Sequence, residues 1–482
     1  MKMLATRSLM AGLLSLALAG CAAVPARHTP DLRQQARVLA SRQLDDAGLA
    51  AAEARMGLPA TTGATWTPDR ITVAAWYLDP ALASARAAAN RAAADAAVAA
   101  QRRNPTLQLS PEKVYSGVTT AAPWTVGVAL LLPLLHPGEA AARREVATAA
   151  TAAARDQLAL AVWQSRARVL AALRGTLLAR QAQAFAMRVV QDRRAYLHNV
   201  RQRVLAGADA RDTELVAELE LQRAEAGLAD RRARRDAAEQ SLAAVLGLPW
   251  SALADARLGW PDLDTPPAPA ALPASALAED AAWNRLDLAV LLQRYRVSEA
   301  QLRLAAGTRY PAVSVAPGYK YDRGDRLFTF GLNVELPLFH GAGARIKAAV
   351  AARNEAAANV RARQLTILNA LDAARADYAG RYAAWQQMQA AARMARLTAA
   401  RAQAQRLSGQ IGRGAELSSR VAASAAALAA NDALSRALDS LGHLEDVLQH
   451  PIWPASRLTH LPTSASPSPA ISADEASHAH RS

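Results

Sequence analysis

Apolar and polar residues alternate in short segments of this chain, and the alternation predicts β-strands. The clearest segment spans residues 327–336, where every second residue is apolar: Phe328, Phe330, Leu332, Val334 and Leu336. The residues between them are small or polar. An apolar side opposite a polar side over about ten residues is typical of a strand in a membrane. A soluble sheet that covers a core with one face alternates in the same way, so the pattern alone leaves both interpretations open.

Three further segments are predicted as strands, at residues 105–115, 124–132 and 310–322. The alternation is weaker in residues 124–132 because Leu131 falls on the side that is otherwise small or polar. The chain is therefore expected to contain two pairs of strands.

Alanine-rich stretches predict long helices. These helices cover about residues 80–103, 139–205, 212–246, 276–306, 343–407 and 415–449. Asn104-Pro105 ends the first of them, because the residue before a proline is pushed out of the helical conformation. Breaks at Gly207 and Gly409 separate a long helix from a shorter one, and Asp212 or Thr213 is expected to cap the helix after the first break.

A near-repeat of five residues indicates an internal duplication. Leu132-Pro133-Leu134-Leu135-His136 returns as Leu336-Pro337-Leu338-Phe339-His340. The predicted domains are a signal peptide at 1–20, a lead-in at 21–66, a first repeat at 67–250, a proline-rich linker at 251–275, a second repeat at 276–453 and a disordered tail at 454–482.

The N-terminus has the layout of a secretory signal, with a charged start and a short apolar run. The run ends at Leu18-Ala19-Gly20-Cys21, which resembles a bacterial lipobox with Cys21 as the lipidated residue. Ala22 follows, not an aspartate that favours retention in the inner membrane, so the resemblance implies the outer membrane. Cys21 is the one cysteine of the chain, which excludes an internal disulfide.

The net charge of +15 comes mostly from arginines dispersed among acidic residues. Because the basic residues form no block and no aromatic platform accompanies them, we expect no nucleic-acid binding. The sequence also shows no catalytic arrangement, phosphate loop or carboxylate pair with supporting spacing, so neither an enzyme nor a cofactor is expected. Beyond the signal there is no run of eighteen apolar residues, so any membrane crossing would have to use strands.

Four strands are too few for a membrane barrel, which needs at least eight. An open sheet edge in lipid is costly, so other copies of the chain would have to complete the sheet. Helices of some 65 residues reach on the order of 100 Å. The prediction is a pore that continues as a helical tube. The alternative is a periplasmic coiled-coil structural lipoprotein or adaptor without a channel.

Several motifs within about residues 70–453 resemble those of the TolC family of outer-membrane efflux proteins. They are Arg102-Arg103-Asn104-Pro105-Thr106-Leu107, Asn284-Arg285-Leu286-Asp287-Leu288, Arg309-Tyr310-Pro311 with Gly318-Tyr319, and Gly331 with Leu336-Pro337-Leu338-Phe339. The segment from Tyr310 to Phe339 is most similar to the heavy-metal (CzcC-like) branch, although drug-efflux members share much of it.

The resemblance implies a mainly α fold with membrane β-strands, internally duplicated, in which a homotrimer shares a twelve-stranded barrel and a coiled-coil tunnel. It implies a lipid-anchored outer-membrane channel that passively conducts substrates, whether metal, drug or protein. The implied partners are a periplasmic adaptor (membrane fusion) protein, an inner-membrane pump of RND type and outer-membrane lipid.

Residue roles follow from the same resemblance. The residues matched to the periplasmic tips and the adaptor contact are Gly207, Asp209, Asp212, Gly409, Gly412, Arg413 and Glu416. The family's gating aspartates are replaced here by Ser418, Ser419 and Arg420. His136 and His340 at the strand-to-helix junctions are weak candidates for metal ligands, and a role as polar junction residues is the favoured interpretation.

Overall fold

The computed structural model describes most of the chain. The described residues are 31–58, 65–113, 115, 124–134, 138–272, 283–335, 342–453 and 458. The chain divides into two compact units, Met1–Arg42 and Gln43–Ser482.

The first unit contains one described helix, α1 (Leu32–Ala40). Its N-terminus is capped by Asp31, whose carboxylate accepts hydrogen bonds from the backbone N–H groups of Arg33 and Gln34. No helix was predicted from the sequence in this lead-in. The Asp31 cap is the local signal for it, because an aspartate that accepts hydrogen bonds from the first turn stabilises even a short helix.

The second unit holds all the other elements. In chain order they are α2 (Ala47–Arg55), α3 (Pro68–Leu78), α4 (Pro80–Ala99), β1 (Thr106–Lys113), β2 (Trp124–Leu134), α5 (Glu139–Leu205), α6 (Arg211–Leu246), α7 (Leu286–Gly307), β3 (Val313–Asp322), β4 (Asp325–Val334), α8 (Ala342–Leu407) and α9 (Arg413–Leu448).

The order of elements repeats. Two strands, a helix of 67 or 66 residues and a helix of 36 residues follow one another in each half. The four longest helices begin and end within about two residues of where the sequence predicts them. The helix predicted over residues 276–306 begins at Leu286. The helix predicted to reach residue 103 ends at Ala99, and α2 and α3 were not predicted. Asp46 caps α2, and Pro68 occupies the first turn of α3, where its missing N–H costs nothing.

The four strands form one antiparallel sheet in the order β1-β2-β3-β4. β2 and β3 pair through residues such as Val128 and Tyr319, so the two repeats meet at the centre of the sheet. β1 and β4 are its two edges. The register keeps most large apolar side chains on one side, which we call the apolar face, whereas Leu131 and Leu327 lie on the other side. Leu107, Leu109, Pro111, Val126, Val128, Leu130, Tyr319, Phe328, Phe330, Leu332 and Val334 are among its members.

The opposite side, the polar face, is crowded. A Cβ atom on Gly318 would lie 2.7 Å from the Thr329 hydroxyl oxygen and 3.1 Å from the Ala129 Cβ atom. Thr125 and Gly127 are buried there, whereas Val126 and Val128 on the apolar face are exposed. The sequence therefore places glycine at positions 127 and 318, where a Cβ atom would lie too close to a side chain of the neighbouring strand.

The four longest helices pack side by side in the order α6, α5, α9, α8. α5 contacts both α6 and α9, and α8 packs on α9 and α7. Among the described residues, α6 and α8 have no extensive contact with each other. These two helices therefore form the edges of the helical layer.

The main core lies partway along the long helices. It is built from α3, the middle of α5 and the C-terminal parts of α6 and α9, and its members include Ile71, Leu173, Leu246 and Leu438. The proline-rich stretch after α6 belongs to it, because Leu253, Trp260 and Leu263 are buried there. The Tyr378 hydroxyl donates a hydrogen bond of 2.5 Å to the Pro267 carbonyl and so holds this stretch on α8.

No helix within the described residues is long and apolar enough to span a membrane.

Candidate functional site: helical tips and apolar sheet face

The first tip joins α5 to α6 and depends on Gly207. Its φ angle is +70°, a conformation that glycine adopts without strain. The N–H of Ala208 donates to the Arg203 carbonyl at 2.8 Å, and the N–H of Gly207 donates to the Val204 carbonyl at 3.0 Å. These bonds satisfy the last carbonyls of α5 in a Schellman motif. The glycine break predicted from the sequence is therefore a specific helix end.

Asp209 is held by an arginine that the sequence analysis did not identify. The Arg203 guanidinium donates two hydrogen bonds to its carboxylate, of 2.7 and 2.8 Å. These bonds lower the pKa of Asp209 and raise that of Arg203. The ion pair links the loop to the last turn of α5, so Asp209 stabilises the conformation of the tip.

Asp212 does not cap α6, which corrects the sequence prediction for Asp212 and Thr213. The N-cap is Ala210, and no side chain bonds to the first turn. Because the helix begins at Arg211, Asp212 falls inside its first turn. Its negative charge there is favourable beside the positive end of the helix dipole.

The second tip joins α8 to α9 and repeats the geometry of the first. Gly409 has a φ angle of +75°, and the N–H of Gln410 donates to the Gln405 carbonyl at 2.9 Å. Gly412 is the N-cap of α9 without a side-chain bond, and Arg413 is the first helical residue. Arg413 is exposed.

Glu416 is buried close to the second tip and forms an ion pair with Arg406 of α8. One turn further, Arg420 donates a 2.8 Å hydrogen bond to Asp192 of α5. Arg420 thus joins the two helical hairpins. Asp192 lies 228 positions earlier in the chain, so only the fold reveals this partner.

Corresponding leucines of the two tips differ in burial. α6 and α9 each have 36 residues and start 202 positions apart, so Leu215 corresponds to Leu417 and Leu219 to Val421. Leu417 and Val421 are 2% and 7% exposed, because α9 packs on α5. Leu215 and Leu219 are 58% and 51% exposed, because they lie on an edge helix.

The predicted membrane-facing residues of β4 lie on the apolar face. They are Phe328, Phe330, Leu332 and Val334, and all four are exposed in the single chain, Phe328 by 77%. An exposed apolar patch of this kind marks a surface that contacts a partner protein or a membrane. The sequence alternation alone was sufficient to find it.

The Arg285-Leu286-Asp287 motif joins three helices. Asp287 accepts hydrogen bonds from Arg285, which precedes α7, and from Arg363 of α8. The N–H of Leu286 donates to the side-chain oxygen of Gln449 just after α9 at 2.7 Å. Burial acts to raise the pKa of Asp287, but the two arginines outweigh it and leave that pKa below its usual value. The motif is a structural junction.

A buried ion pair crosses the core between α5 and α9. Arg166 donates a 2.7 Å hydrogen bond to Glu445, and both residues are buried. Burial raises the pKa of Glu445, while Arg166 opposes this effect.

Cys21, His136 and His340 lie outside the described residues. Within the described part of the chain, no group of three or more His, Cys, Asp or Glu side chains is placed to hold a metal ion.

Comparison with known proteins gives one family. The model of the family described as "Outer membrane efflux protein" matches residues 74–248, which run from α3 to just beyond α6. A search of curated proteins by sequence finds no match.

Solved structures share the fold. The outer membrane protein VceC from Vibrio cholerae is 19% identical, with 79% of this chain and 96% of that chain covered and a TM-score of 0.64. The Campylobacter jejuni CmeC outer membrane channel is 14% identical, with 79% and 85% covered and a TM-score of 0.63. The open state of the Neisseria gonorrhoeae MtrE outer membrane channel is 17% identical, with 89% and 98% covered and a TM-score of 0.63. At these identities the likeness shows the fold.

Proposed function

Over residues 74–248 this chain is a member of the outer membrane efflux protein family, and from this premise we propose that it is the outer-membrane channel of a tripartite efflux system. It conducts substrates passively from a periplasmic adaptor and an inner-membrane pump to the exterior. The family is one of channels and not a class of enzymes. The MtrE and CmeC proteins, which share the fold, are described as outer membrane channels.

The observation that carries this proposal is the exposed apolar face of a sheet with two open edges. A soluble sheet buries its apolar face on a core, but here the apolar side chains of β4 are exposed, and the crowded positions of the central strands lie on the polar face. This arrangement supports strands that meet lipid on the outside and a polar lumen on the inside. A coiled-coil structural lipoprotein without a channel leaves the apolar face unexplained.

The open edges support a ring of copies. Unpaired backbone groups of β1 and β4 cannot face lipid, so β4 of one copy pairs with β1 of the next. The edge helices α8 and α6 meet in the same way. Three copies supply twelve strands, and we therefore propose the homotrimer implied by the family resemblance.

The duplication indicates which residues meet between copies. Inside the chain, Gly414 of α9 lies against Asn199 of α5, with 3.0 Å between the Asn199 side-chain oxygen and the position of a Cβ atom on Gly414. The counterpart of each residue in the other repeat lies 202 positions away. The counterpart of Gly414 is Asp212 of α6, and that of Asn199 is Arg401, which we assign to the partner subunit. Leu215 and Leu397 fall between this pair and the counterparts of Arg420 and Asp192, so we expect Leu215 to lie close to Leu397 of the partner subunit. Leu397 is 54% exposed in the single chain.

Paired cysteines test this arrangement. The natural chain has Cys21 alone, so an Asp212→Cys, Arg401→Cys variant introduces one new disulfide pair. We expect oxidation to give covalent dimers and trimers on non-reducing gels. The matched control is Asp212→Cys with Arg396→Cys, which moves the second cysteine along the same exposed stretch of α8 and should stay monomeric. Equal cross-linking in both variants would contradict the proposed contact.

Conductance tests the channel itself. We expect the purified trimer to give ion-conducting pores in planar bilayers and to occur in outer-membrane fractions. A soluble protein without conductance, or one that hydrolyses nucleotide unaided, would exclude the channel.

The finer assignments belong to the same proposal. We place the adaptor contact at the two tips, around Gly207, Asp209, Asp212, Gly409, Gly412, Arg413 and Glu416. We propose a lipid anchor at Cys21, a pump of RND type and heavy-metal ions as one candidate substrate class beside drugs. Supporting observations are the repeated tip geometry and the lipobox-like sequence. Labelled palmitate that enters the protein, but not a Cys21→Ala variant, would test the anchor.

A further inference from the structure

The apolar face carries two charged residues in its described strands, and both are cations. Lys113 is the last residue of β1 and pairs with Trp124, and Arg326 in β4 pairs with Tyr321. Both pairs lie at the end of the sheet where strand turns to strand, away from the long helices. We call Lys113, Arg326, Trp124 and Tyr321 the cationic rim.

The acidic residues of this end point to the other side of the sheet. Glu112, Asp322 and Asp325 have the alternation of the polar face. There Glu112 lies 3.9 Å from the Lys320 ammonium, and Asp322 accepts a hydrogen bond from Thr125. Within the described residues, the positive charge of the rim therefore has no acidic neighbour on its own face.

Aromatic rings surround the cation of β1. The Lys113 ammonium lies 5.0 Å from the ring centre of Tyr115 and 5.4 Å from that of Trp124. Cation–π contacts at these distances are attractive and leave the N–H donors available for an anion. Tryptophan and tyrosine prefer the interface between membrane and water, so these rings also set the depth of the rim.

The height of the apolar face agrees with this position. From Val334 to Arg326 the strand advances eight residues, or about 26 Å along its axis at roughly 3.3 Å per residue, which is about 20 Å of height at the tilt of about 40° typical of such strands. The apolar band of outer-membrane strand proteins is about 25 Å tall. With Val334 at the periplasmic side of that band, Arg326 and Lys113 lie at the level of the outer headgroups.

Closure of the sheet brings the two cations together. β1 and β4 are edges, so in the proposed trimer Arg326 lies on the strand beside the one that carries Lys113 of the partner subunit. Adjacent strands are about 4.8 Å apart. A guanidinium and an ammonium on neighbouring strands can bind one phosphate group, the first through two parallel hydrogen bonds and the second as a point charge.

We propose that the cationic rim binds the phosphate groups of lipopolysaccharide, the phosphorylated glycolipid of the outer leaflet. This inference rests on the proposed outer-membrane channel, because it requires the apolar face to lie in that membrane. The site recognises phosphate, and its aromatic rings hold it at the depth where that phosphate lies.

The test compares the wild type with variants. Trimers are purified from outer membranes in mild detergent, and native mass spectrometry counts the lipopolysaccharide molecules that remain bound to each. We expect the Lys113→Gln, Arg326→Gln variant to retain at least fivefold less than the wild type. The matched control is Lys320→Gln, Lys347→Gln, which removes the same charge from the polar face and from α8. It should retain the wild-type amount, and so should Lys113→Arg.

A second arm separates phosphate from acyl chains. Dephosphorylated lipopolysaccharide should bind the wild type as weakly as the intact lipid binds the rim variant. Full retention by the rim variant, or equal loss in the control, would overturn the inference. If the double variant does not reach the outer membrane, each single variant is compared, with about half the loss expected.

Conductance in planar bilayers keeps the two proposals distinguishable. A rim variant that conducts and still retains the lipid refutes the phosphate site alone. A wild type without conductance refutes the channel.

Discussion

At the scale of single residues, the buried pair of Arg166 and Glu445 makes the core sensitive to pH. Besides Arg166, the Glu445 carboxylate meets the positive charge of Arg174 and a backbone N–H at Ile452. Burial nevertheless raises its pKa above the ordinary 4.5. The folded chain thus retains this proton to a higher pH than the unfolded chain. The contribution to stability is complete below the unfolded pKa and is lost as the pH rises through the folded pKa.

Replacing Arg166 by methionine should strongly lower the stability of the folded chain, by an amount that depends on pH. The change leaves a buried carboxylate without its partner, which costs about 3–5 kcal/mol in comparable cases. Because the pKa of Glu445 then rises further, we expect a larger loss of thermal stability at pH 8 than at pH 5. Thermal unfolding of the detergent-solubilised protein, followed by far-UV circular dichroism at pH 5 and at pH 8, measures both losses.

The control for this prediction removes both charges. An Arg166→Met, Glu445→Gln variant should recover most of the lost stability, since no isolated charge remains. The same loss at pH 5 and pH 8 in the single variant would show that Arg166 acts through packing and not through its charge.

At the scale of elements, both tips end a long helix in the same way. Gly207 and Gly409 have positive φ angles and begin the same pattern of backbone hydrogen bonds. The side-chain contacts differ, since Arg203 binds Asp209 in one tip and Arg406 binds Glu416 in the other. Backbone geometry is common to the tips, and side chains make them distinct.

A Gly409→Ala variant tests this helix end. Nothing lies within 4 Å of the added Cβ atom, so backbone strain alone should destabilise the tip, by about 1–2 kcal/mol. Hydrogen exchange at Ser408–Gln410 should become faster. The control is Gly380→Ala in the middle of α8, where space is also open and alanine should stabilise the helix by about 1 kcal/mol. Unchanged exchange in Gly409→Ala would contradict the role of φ.

At the scale of the whole molecule, the two repeats contact each other once inside the chain, and the corresponding surfaces on their other sides stay open. α9 has α5 as a neighbour inside the chain, whereas α6 and β1 have an open side. The proposed ring of copies would close both the helical layer and the sheet.

Leu215→Asp should separate folding from assembly. In the single chain Leu215 is exposed, so the monomer should keep its helicity. In the ring it is covered, and loss of a buried leucine contact costs about 1.5–3 kcal/mol for each interface. We expect fewer trimers by size-exclusion chromatography with unchanged circular dichroism. Leu417→Asp is the comparison and should lower helicity, because Leu417 is buried within the chain. Normal trimers of Leu215→Asp would argue against the α6–α8 contact.

Much of the architecture followed from local patterns. The family resemblance and the combination of long helices with strand pairs are confirmed, while the heavy-metal branch, the lipid anchor and the roles of the tip residues stay predictions. The short helices α2 and α3 were missed because each has only 9 or 11 residues and one start signal, the Asp46 cap in α2 and Pro68 in the first turn of α3. The capping role predicted for Asp212 was wrong because α6 begins at Arg211, with Ala210 as its N-cap two residues before Asp212.

The sequence by itself determined which residues share a face. Alternation every second residue defines the apolar face of β4, and glycines end the long helices, because both depend on neighbours along the chain. The tertiary structure alone decided which faces meet. Leu215 and Leu417 have the same place in their repeats, but only Leu417 has a helix of its own chain against it. Arg420 and Asp192 likewise meet across 228 positions, since helical periodicity defines a stripe of residues and not the helix that packs on it.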